Sequence, residues 1–421
     1  MADMFRRHGT DPEGGPRRLI ASATAALIGA TLISACGSTQ PPVAAVRWVR
    51  VADQAFGSPR ATLQLATVAA PSGGQPWLVG GDTLTPDGVT HVGIWSSPTP
   101  TGPWQRAAMH PVPDRDGPYE TILGFARGAD RTVALGARNS PGEGYPRPST
   151  WTGEDPKATW QEALADRELF GGPDIVALGN ITAGPHGYTV AGTWVGPAGH
   201  PGAAVWRSGD GIRWVRNDTD PALSGRPGET PLALDVADNG RGVLVVGTAS
   251  APVPGQAGHQ RGAMWYSPTG VTWVRLFGAD PHLDQPGQTA ITAVRALGDG
   301  WVAAGTIVDG ARSRPMIWSV DTNLRLRAQA LPFSAGQPPV ALSGLTLSAD
   351  MAVAAGVAGG RPVFWDAPVD HGRLGTWKRL QPGPAPAGLR TVAVAAGLGA
   401  VTAILASPTT SQVWVADPSP G

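Results

Sequence analysis

The stretch AVWRSGDGIRWVRN at Ala204–Asn217 places two tryptophans on either side of a Ser-Gly-Asp-Gly turn, and AMWYSPTGVTWVRL at Ala263–Leu276 repeats the pattern. The first tryptophan of the pattern occurs seven times, at intervals of 47 to 59 residues. These seven positions are Trp95, Trp151, Trp206, Trp265, Trp318, Trp365 and Trp414. A similar unit recurring at this spacing indicates a repeat architecture.

Each unit carries further landmarks around this tryptophan. A second tryptophan follows 8 to 12 residues later, at Trp104, Trp160, Trp214, Trp273 and Trp377, with Leu326 in its place once. A short apolar run that ends in glycine precedes the first tryptophan, at Gly80, Gly136, Gly192, Gly247, Gly305 and Gly356, with Leu405 in the seventh copy. Short β-like stretches between clusters of Gly, Pro, Asn and Asp predict four strands in each unit.

Seven units of four strands predict an all-β fold, a seven-bladed β-propeller over residues 46–421. The seventh unit ends near Trp414 without a fourth strand, whereas VRWVRV at Val46–Val51 matches the fourth-strand segments IRWVRN and VTWVRL. We therefore expect the N-terminal segment to pair with the strand around Trp414, closing the ring and covering an exposed edge. Each first tryptophan should pack between blades with its N–H on a carbonyl, and the glycine should leave room for a ring or backbone.

The turn of the quoted stretch has a recognisable chemistry. In SGDGIRW at Ser208–Trp214, Ser and Asp can accept backbone N–H groups inside the turn, and Gly tolerates a positive φ. This segment resembles the Asp-box of the sialidase and bacterial neuraminidase repeat family, one residue shorter than usual, and SPTGVTW at Ser267–Trp273 is a degenerate copy. The resemblance implies a propeller, and it implies no catalytic role for these turns, because the family's Asp-boxes lie away from its active site.

The N-terminus predicts export. Four arginines lie within residues 1–18, residues 19–35 are uncharged and apolar, and LISAC follows at Leu32–Cys36. This order is typical of a secretory signal, and its ending resembles the bacterial lipobox, in which the cysteine is lipidated. We expect a lipoprotein signal peptide at 1–35, acyl chains such as palmitate on Cys36, a flexible tether over 36–45, and attachment to the extracytoplasmic face of the cell membrane. The alternatives are a free thiol after an ordinary signal peptide and an uncleaved membrane helix.

Composition narrows the classes of function. Lys plus Arg and Asp plus Glu are 32 each, and this balance argues against a dedicated nucleic-acid binder. Hydrophobic residues make up 42% of the chain, enough to build a core. The histidines show no metal-binding spacing, and no phosphate-cradling glycine loop precedes a helix, so we expect neither metal nor cofactor.

One set of residues is a candidate binding site. We define the top face of the ring as the end that carries the connections between blades and the loops between second and third strands. Four residues before the first tryptophan, at the expected start of the third strand beside this face, stand His91, Arg147, Arg261, Arg314 and Arg361. Such a rim could bind carboxylates or phosphates. Alternatively, each arginine braces its own loop or pairs with an acid from a connection between blades.

No catalytic residues are expected. Sialidases carry an arginine triad, a Tyr–Glu pair, an acidic general acid/base and a Phe-Arg-Ile-Pro motif, and that motif is missing from this sequence. Only Tyr119 beside Glu120, and Tyr145 near Arg147, fall on predicted top loops. The leading hypothesis is a non-enzymatic binding or scaffolding propeller that engages an envelope protein or glycan, similar to envelope lipoproteins of high-GC Gram-positive bacteria. The alternatives are a degenerate sialidase-like glycan-active enzyme and an assembly factor that contacts a membrane complex through blade edges.

Overall fold

Short strands separated by glycine- and proline-containing turns form seven antiparallel sheets, each a blade of one ring. The first strand of each blade contacts the first strand of the next, and that of blade 7 contacts that of blade 1. The computed structural model describes residues 46–57, 61–112, 120–138, 146–153, 159–163, 168–170, 172–197, 199–217, 219–253, 256–276, 283, 286–334, 336–380 and 386–417. The predicted signal peptide, Cys36 and tether lie outside these residues, as do Tyr119 and Tyr145. The seven-bladed β-propeller fold is confirmed.

The strands of each blade follow one another from the axis outward. Blades 1 and 2 consist of Thr62–Ala69, Trp77–Leu84, Thr90–Ser97 and Gln105–Arg106, and of Glu120–Arg127, Thr132–Arg138, Arg147–Gly153 and Thr159–Glu162. Blades 3 and 4 consist of Ile175–Gly184, Gly187–Val195, Pro201–Ser208 and Val215–Asn217, and of Thr230–Asp238, Val243–Val253, Gln256–Ser267 and Val274–Leu276. Blades 5 and 6 consist of Gln288–Leu297, Gly300–Asp309, Arg312–Val320 and Leu326–Ala330, and of Val340–Leu347, Met351–Ala358, Arg361–Asp370 and Lys378–Leu380.

Blade 7 combines both ends of the described chain. Its first three strands are Thr391–Gly397, Ala400–Ala406 and Ser411–Asp417, and its outermost strand is Arg47–Arg50. Arg50 pairs with Trp414 and stands two residues after Trp48, as Arg216 pairs with Trp206 and stands two residues after Trp214. The N-terminal strand therefore has the register of a fourth strand.

Smaller elements lie outside the four-strand plan. Ala108–His110 adds a fifth, parallel strand to the edge of blade 2, and Arg373–Leu374 forms a short hairpin with the third strand of blade 6. Two 3-10 turns, Asp53–Phe56 and Gly172–Asp174, precede the first strands of blades 1 and 3. No helix among the described residues is long and apolar enough to span a membrane.

The repeated tryptophans pack where they were predicted, at the interfaces between blades. Seven apolar clusters fill the seven interfaces, and each joins one blade to its predecessor, as Trp265 and Trp273 of blade 4 pack with Val205 of blade 3. Trp48 is 8% exposed and stacks on Phe364 of blade 6, with ring centroids 4.4 Å apart.

Among the described residues, the predicted bond from tryptophan N–H to a carbonyl is seen in four blades. In each case the acceptor lies in the connection that leads into the blade's own first strand. These pairs are Trp95 Nε1 to Phe56 O, Trp206 Nε1 to Leu169 O, Trp265 Nε1 to Ala222 O, and Trp365 Nε1 to Pro332 O, at 2.7–3.2 Å. The tryptophan thus fastens the connection to the body of the blade.

The repeated glycine serves a close approach of backbone. In blades 1–6 the first strand contains a β-bulge directly after the residue that faces this glycine, as between Ala233 and Asp235 opposite Gly247. A Cβ on Gly247 would lie 1.8 Å from Leu232 O. Blade 7 has Leu405 at this position, and its first strand has no bulge. The equivalent residue in blade 1 is Gly81 and not the predicted Gly80, because Gly81 pairs with Leu65 directly before the bulge.

The turn after the third strand of blade 3 has the predicted hydrogen bonds. Ser208 Oγ accepts the N–H of Gly211 at 2.8 Å. Asp210 Oδ1 accepts the N–H groups of Ile212 and Arg213 at 2.9 and 2.8 Å. Gly211 has a φ of +73°, which a glycine adopts without steric cost.

Candidate functional site

The five residues of the predicted rim occupy equivalent positions in five different blades. Each lies four residues before the first tryptophan on the third strand, opposite the top half of the second strand, and therefore on the top side of its blade. Because side chains alternate along a strand, these residues share the sheet face of that tryptophan. The structure thus brings them to one end of the molecule, on separate blades and two strands away from the axis.

At Arg147 the surrounding charges are tied up in a buried network. Its strand partner Arg138 forms an ion pair with Glu120 at 3.4 Å, and both side chains are buried. Glu120 also accepts hydrogen bonds from Ser149 and from Trp151 Nε1, the latter at 3.0 Å. Glu120 therefore holds the top of blade 2 together, and its carboxylate is turned away from solvent.

Arg261 belongs to a group of charges at the top of blade 4. Arg275 forms an ion pair with Glu229 at 2.8 Å, with its guanidinium 5.6 Å from the Trp265 ring centroid. Burial lowers the pKa of Arg275 to about 10, Glu229 raises it, and the neighbouring Arg226 and Arg261 lower it further. Among the residues that the structure describes here, the group contains three guanidiniums and one carboxylate.

The remaining rim residues are open to solvent. His91, Arg314 and Arg361 are exposed. Within the described part of the chain, neither arginine forms an ion pair. Both therefore add free positive charge to the top face beside blade 4.

The segment SAPVPGQAGHQRG at Ser250–Gly262, whose polar, Gly- and Pro-containing composition is typical of a loop, is part of a β-hairpin between the second and third strands of blade 4. Val243–Val253 and Gln256–Ser267 are the two longest strands of the structure, and they pair as far as Val253 and Gln256. The N–H of Gln260 donates to Gln288 Oε1 of blade 5 at 2.6 Å, which fixes the hairpin against the neighbouring blade. The hairpin extends the top face next to Arg261.

A cavity of about 610 Å³ lies on the axis at the opposite end of the ring. Its walls are the last residues of all seven first strands, where each strand turns back into the second strand. We call this end the bottom face. The predicted rim is therefore not part of this axial cavity.

Three charged residues line this axial cavity. Arg127 Nη1 donates to Gln75 Oε1 at 2.7 Å and Nη2 donates to Pro76 O at 2.5 Å. Arg295 Nη1 donates to Asp235 Oδ2 at 2.7 Å, and that carboxylate also accepts the N–H of Val294. The third is Asp238.

Asp238 is held from the bottom face of blade 3. Both of its carboxylate oxygens lie 3.1 Å from His186 Nδ1. They also accept the N–H groups of His186 and Gly240 at 3.2 and 2.8 Å. The Asp238 side chain is fully buried.

The sequence contains a signal for this cavity, although the sequence-based predictions did not include it. Near the end of the first strand, blades 2 and 4 carry Arg127 and Asp238. The equivalent position in each of the other five blades carries Ala or Leu. One residue earlier, the other blades have Ala or Thr and blade 5 has Arg295. Charged residues at repeat positions that are otherwise small identify candidates for a functional site.

A metal centre is not evident in the described structure. No group of three or more His, Cys, Asp or Glu side chains within the described ranges is arranged to hold an ion.

Comparison with known proteins yields only distant structural similarity. No family model matches the chain, and no curated protein sequence matches it. Structural neighbours include the sialidase of Trypanosoma rangeli, with 12% identity and a TM-score of 0.45 over 85% of this chain and 55% of the other. The Hadza microbial sialidase Hz136 has 13% identity and a TM-score of 0.46 over 88% of this chain and 68% of the other.

A neighbour outside the sialidases is similar to the same degree. The β-propeller domain of Myceliophteria thermophila Cps50 (Swd1) is 10% identical, with a TM-score of 0.45 over 84% of this chain and 98% of the other. This chain spans about half the length of the Trypanosoma rangeli sialidase. Similarity at this level carries no assignment of activity.

Proposed function

We propose that this chain is a lipid-anchored, extracytoplasmic binding or scaffolding β-propeller whose top face engages an anionic group on an envelope protein or glycan. The excess of arginine on the top face of blades 4–6 carries the proposal. Arg226 and Arg261 lie close to Arg275, which pairs with Glu229, and exposed Arg314 and Arg361 follow on the next two blades. Guanidinium groups suit carboxylates and phosphates because their planar N–H groups match paired oxygens.

The hairpin of blade 4 supports this choice of surface. It adds strand edges and polar side chains next to Arg261, and Gln260 fastens it to blade 5. A partner would therefore meet a preformed surface and would lose little affinity to ordering it. We do not propose catalysis at this face, because Glu120 is committed to Arg138, Ser149 and Trp151.

The anchor is the second part of the proposal. LISAC at Leu32–Cys36 is the motif on which it rests, and two or more acyl chains on Cys36 would suffice for stable membrane attachment. Radiolabelled palmitate should be incorporated into the full chain and lost in Cys36→Ala. Equal labelling of both proteins would remove the anchor from the proposal.

We further propose that the Arg47–Arg50 strand closes the ring in the exported protein and marks where the tether ends. Its register with Ser411–Asp417 and the stacking of Trp48 on Phe364 support this. The closing strand starts at the bottom face, since it runs antiparallel to the third strand of blade 7. Attachment at that edge would leave the top face free for a partner.

The top-face proposal is tested by crosslinking in intact cells. The variant replaces Arg261, Arg314 and Arg361 with glutamine, and it should lose the crosslinked species that the unchanged chain forms. The control replaces the exposed Arg213, Arg325 and Arg373, which lie on turns at the bottom face, and it removes the same charge.

The control should crosslink as the unchanged chain does, and the crosslinks should weaken at raised ionic strength because exposed charges are screened. Retention of the crosslinks in the top-face variant would refute the proposal. Equal loss in both variants would show that net charge alone, and not the top face, directs binding.

A further inference from the structure

We propose that the axial cavity at the bottom face binds a small, hydroxyl-bearing carboxylate, of the chemical class of a sugar acid, through the guanidinium of Arg127. This site lies at the opposite end of the ring from the arginines of the proposed top-face function and does not depend on them. No motif of the sequence had pointed to it.

Arg127 is a guanidinium without an acidic partner. Its Nη1 and Nη2 groups bond only the neutral oxygens of Gln75 and Pro76. Its Nε is buried and has no hydrogen-bond partner. No ion pair joins it to an acid in the described ranges.

The charge on Arg127 persists at neutral pH. Burial lowers its pKa to about 10, which still leaves the group protonated near pH 7. A partly buried cation without a counter-charge is destabilising, and an anion that enters the cavity would relieve this. Nη1 and Nη2 each have one acceptor inside the protein, so each keeps a second hydrogen that a carboxylate oxygen can accept.

The other charges of the cavity are already matched inside the protein. Asp235 neutralises Arg295 at 2.7 Å, and two backbone N–H groups and His186 surround Asp238. Arg127 is therefore the cation that remains available to a ligand. A dianion such as phosphate would face one free guanidinium and the nearby Asp238 carboxylate, so a singly charged carboxylate fits this balance better.

The rest of the lining suits hydroxyl groups. The lining includes the threonines Thr67, Thr182 and Thr346 and the amide of Asn180, which come from three of the seven first strands. Thr346 Oγ1 accepts the N–H of Ala396 at 3.1 Å and keeps its own O–H as a donor. A volume of about 610 Å³ lies within the usual range for small-molecule sites, about 300–1,000 Å³, and accommodates a monosaccharide.

The test is calorimetric titration of the full chain in detergent at constant ionic strength. The probes are D-glucuronate, its neutral analogue D-glucose, acetate and inorganic phosphate. We expect glucuronate to bind at least about 10-fold more tightly than each of the other three probes. Absence of glucuronate binding, or equal affinity for any other probe, would overturn the proposal.

Variants then locate the site. Arg127→Gln should weaken glucuronate binding at least about 10-fold, and Arg127→Lys should give an intermediate loss because it keeps the charge but not the planar N–H pair. Arg241→Gln is the matched control, since Arg241 is exposed at the same face and pairs with Asp299. Tryptophan emission reports whether each variant is folded.

Unchanged affinity in folded Arg127→Gln, or an equal loss in Arg241→Gln, would refute the assignment. If Arg127→Gln does not fold, Arg127→Lys and the probe series on the unchanged chain still decide the question. The triple variant of Arg261, Arg314 and Arg361 should bind glucuronate normally, so the top-face function and the axial site can fail separately.

Discussion

Substituting Gly247 with alanine should destabilise the protein far more than its single methyl group suggests. The new Cβ would lie 1.8 Å from Leu232 O and 2.9 Å from Leu232 C, both backbone atoms of the neighbouring strand. Backbone cannot swing aside as a side chain can, so the two strands would have to separate by roughly 1 Å or more to restore van der Waals contact. Overpacking of this kind in a close-packed interior costs about 1–3 kcal/mol.

Urea unfolding followed by tryptophan emission measures this effect. With an m-value of about 3 kcal/mol per M, the midpoint should fall by about 0.3–1 M at unchanged slope. Gly209→Ala is the control, because a Cβ at Gly209 meets no atom within 4 Å, and its midpoint should remain within error. Equal midpoints for the Gly247 variant and the unchanged chain would refute the reasoning that ties this glycine to the bulge of the first strand.

Two further predictions concern other blades. Trp48→Ala should lower the free energy of unfolding by about 3–5 kcal/mol, because it removes the ring that stacks on Phe364. The control is Val49→Ala on the same strand, which should change the free energy of unfolding by about 0.5 kcal/mol or less because Val49 is 45% exposed. Similar urea midpoints for the two variants would contradict a closing role for this strand. Burial raises the pKa of Asp82 to about 6 despite a hydrogen bond from Thr121, so the folded state favours its protonated form. The stability that this group contributes below about pH 4 is therefore lost as the pH rises towards 6. Asp82→Thr introduces the residue that blades 3–5 have at this position, and it should abolish this loss and raise the free energy of unfolding at pH 7 by roughly 2–3 kcal/mol. Urea titrations at pH 4 and pH 7 measure the effect. A variant with the same pH dependence as the unchanged chain would contradict this role of Asp82.

The regular features of the fold could be predicted because each is written several times in the sequence. Seven first tryptophans gave the number of blades, and their neighbours gave the interfaces that Trp206 and Trp265 fill. Leu326, which replaces a second tryptophan, is buried beside Trp318 in the same kind of cluster. A residue type that recurs at the same position of each unit indicates the same structural environment in each blade. With seven copies, a substitution in one unit, such as Leu326, does not obscure the pattern.

The exceptions were harder to predict, because each depends on contacts between strands. Gly80 and Gly81 are adjacent in blade 1, and only the register opposite Leu65 shows that Gly81 faces the bulge. The polar segment after Val243–Val253 has the composition of a loop, yet Gln288 and Thr289 of blade 5 bind Gln260 and hold it as a hairpin.

The axial cavity was missed for a related reason. Arg127, Asp238 and Arg295 lie far apart in the sequence and converge only when the first strands surround one axis. The predicted rim lies instead at the top face, where propellers usually carry their functional loops. The five rim residues do lie at that face, but each belongs to a different blade.

The pairing of Arg47 with Asp417 has a consequence for biogenesis. About 370 residues separate these partners, so Arg47–Arg50 stays without this partner strand until Ser411–Asp417 has been synthesised. Contacts this distant in sequence make folding slow, because a large loss of chain entropy precedes them. Blade 7, in which the two segments meet, is therefore the last blade of the described structure to complete its sheet.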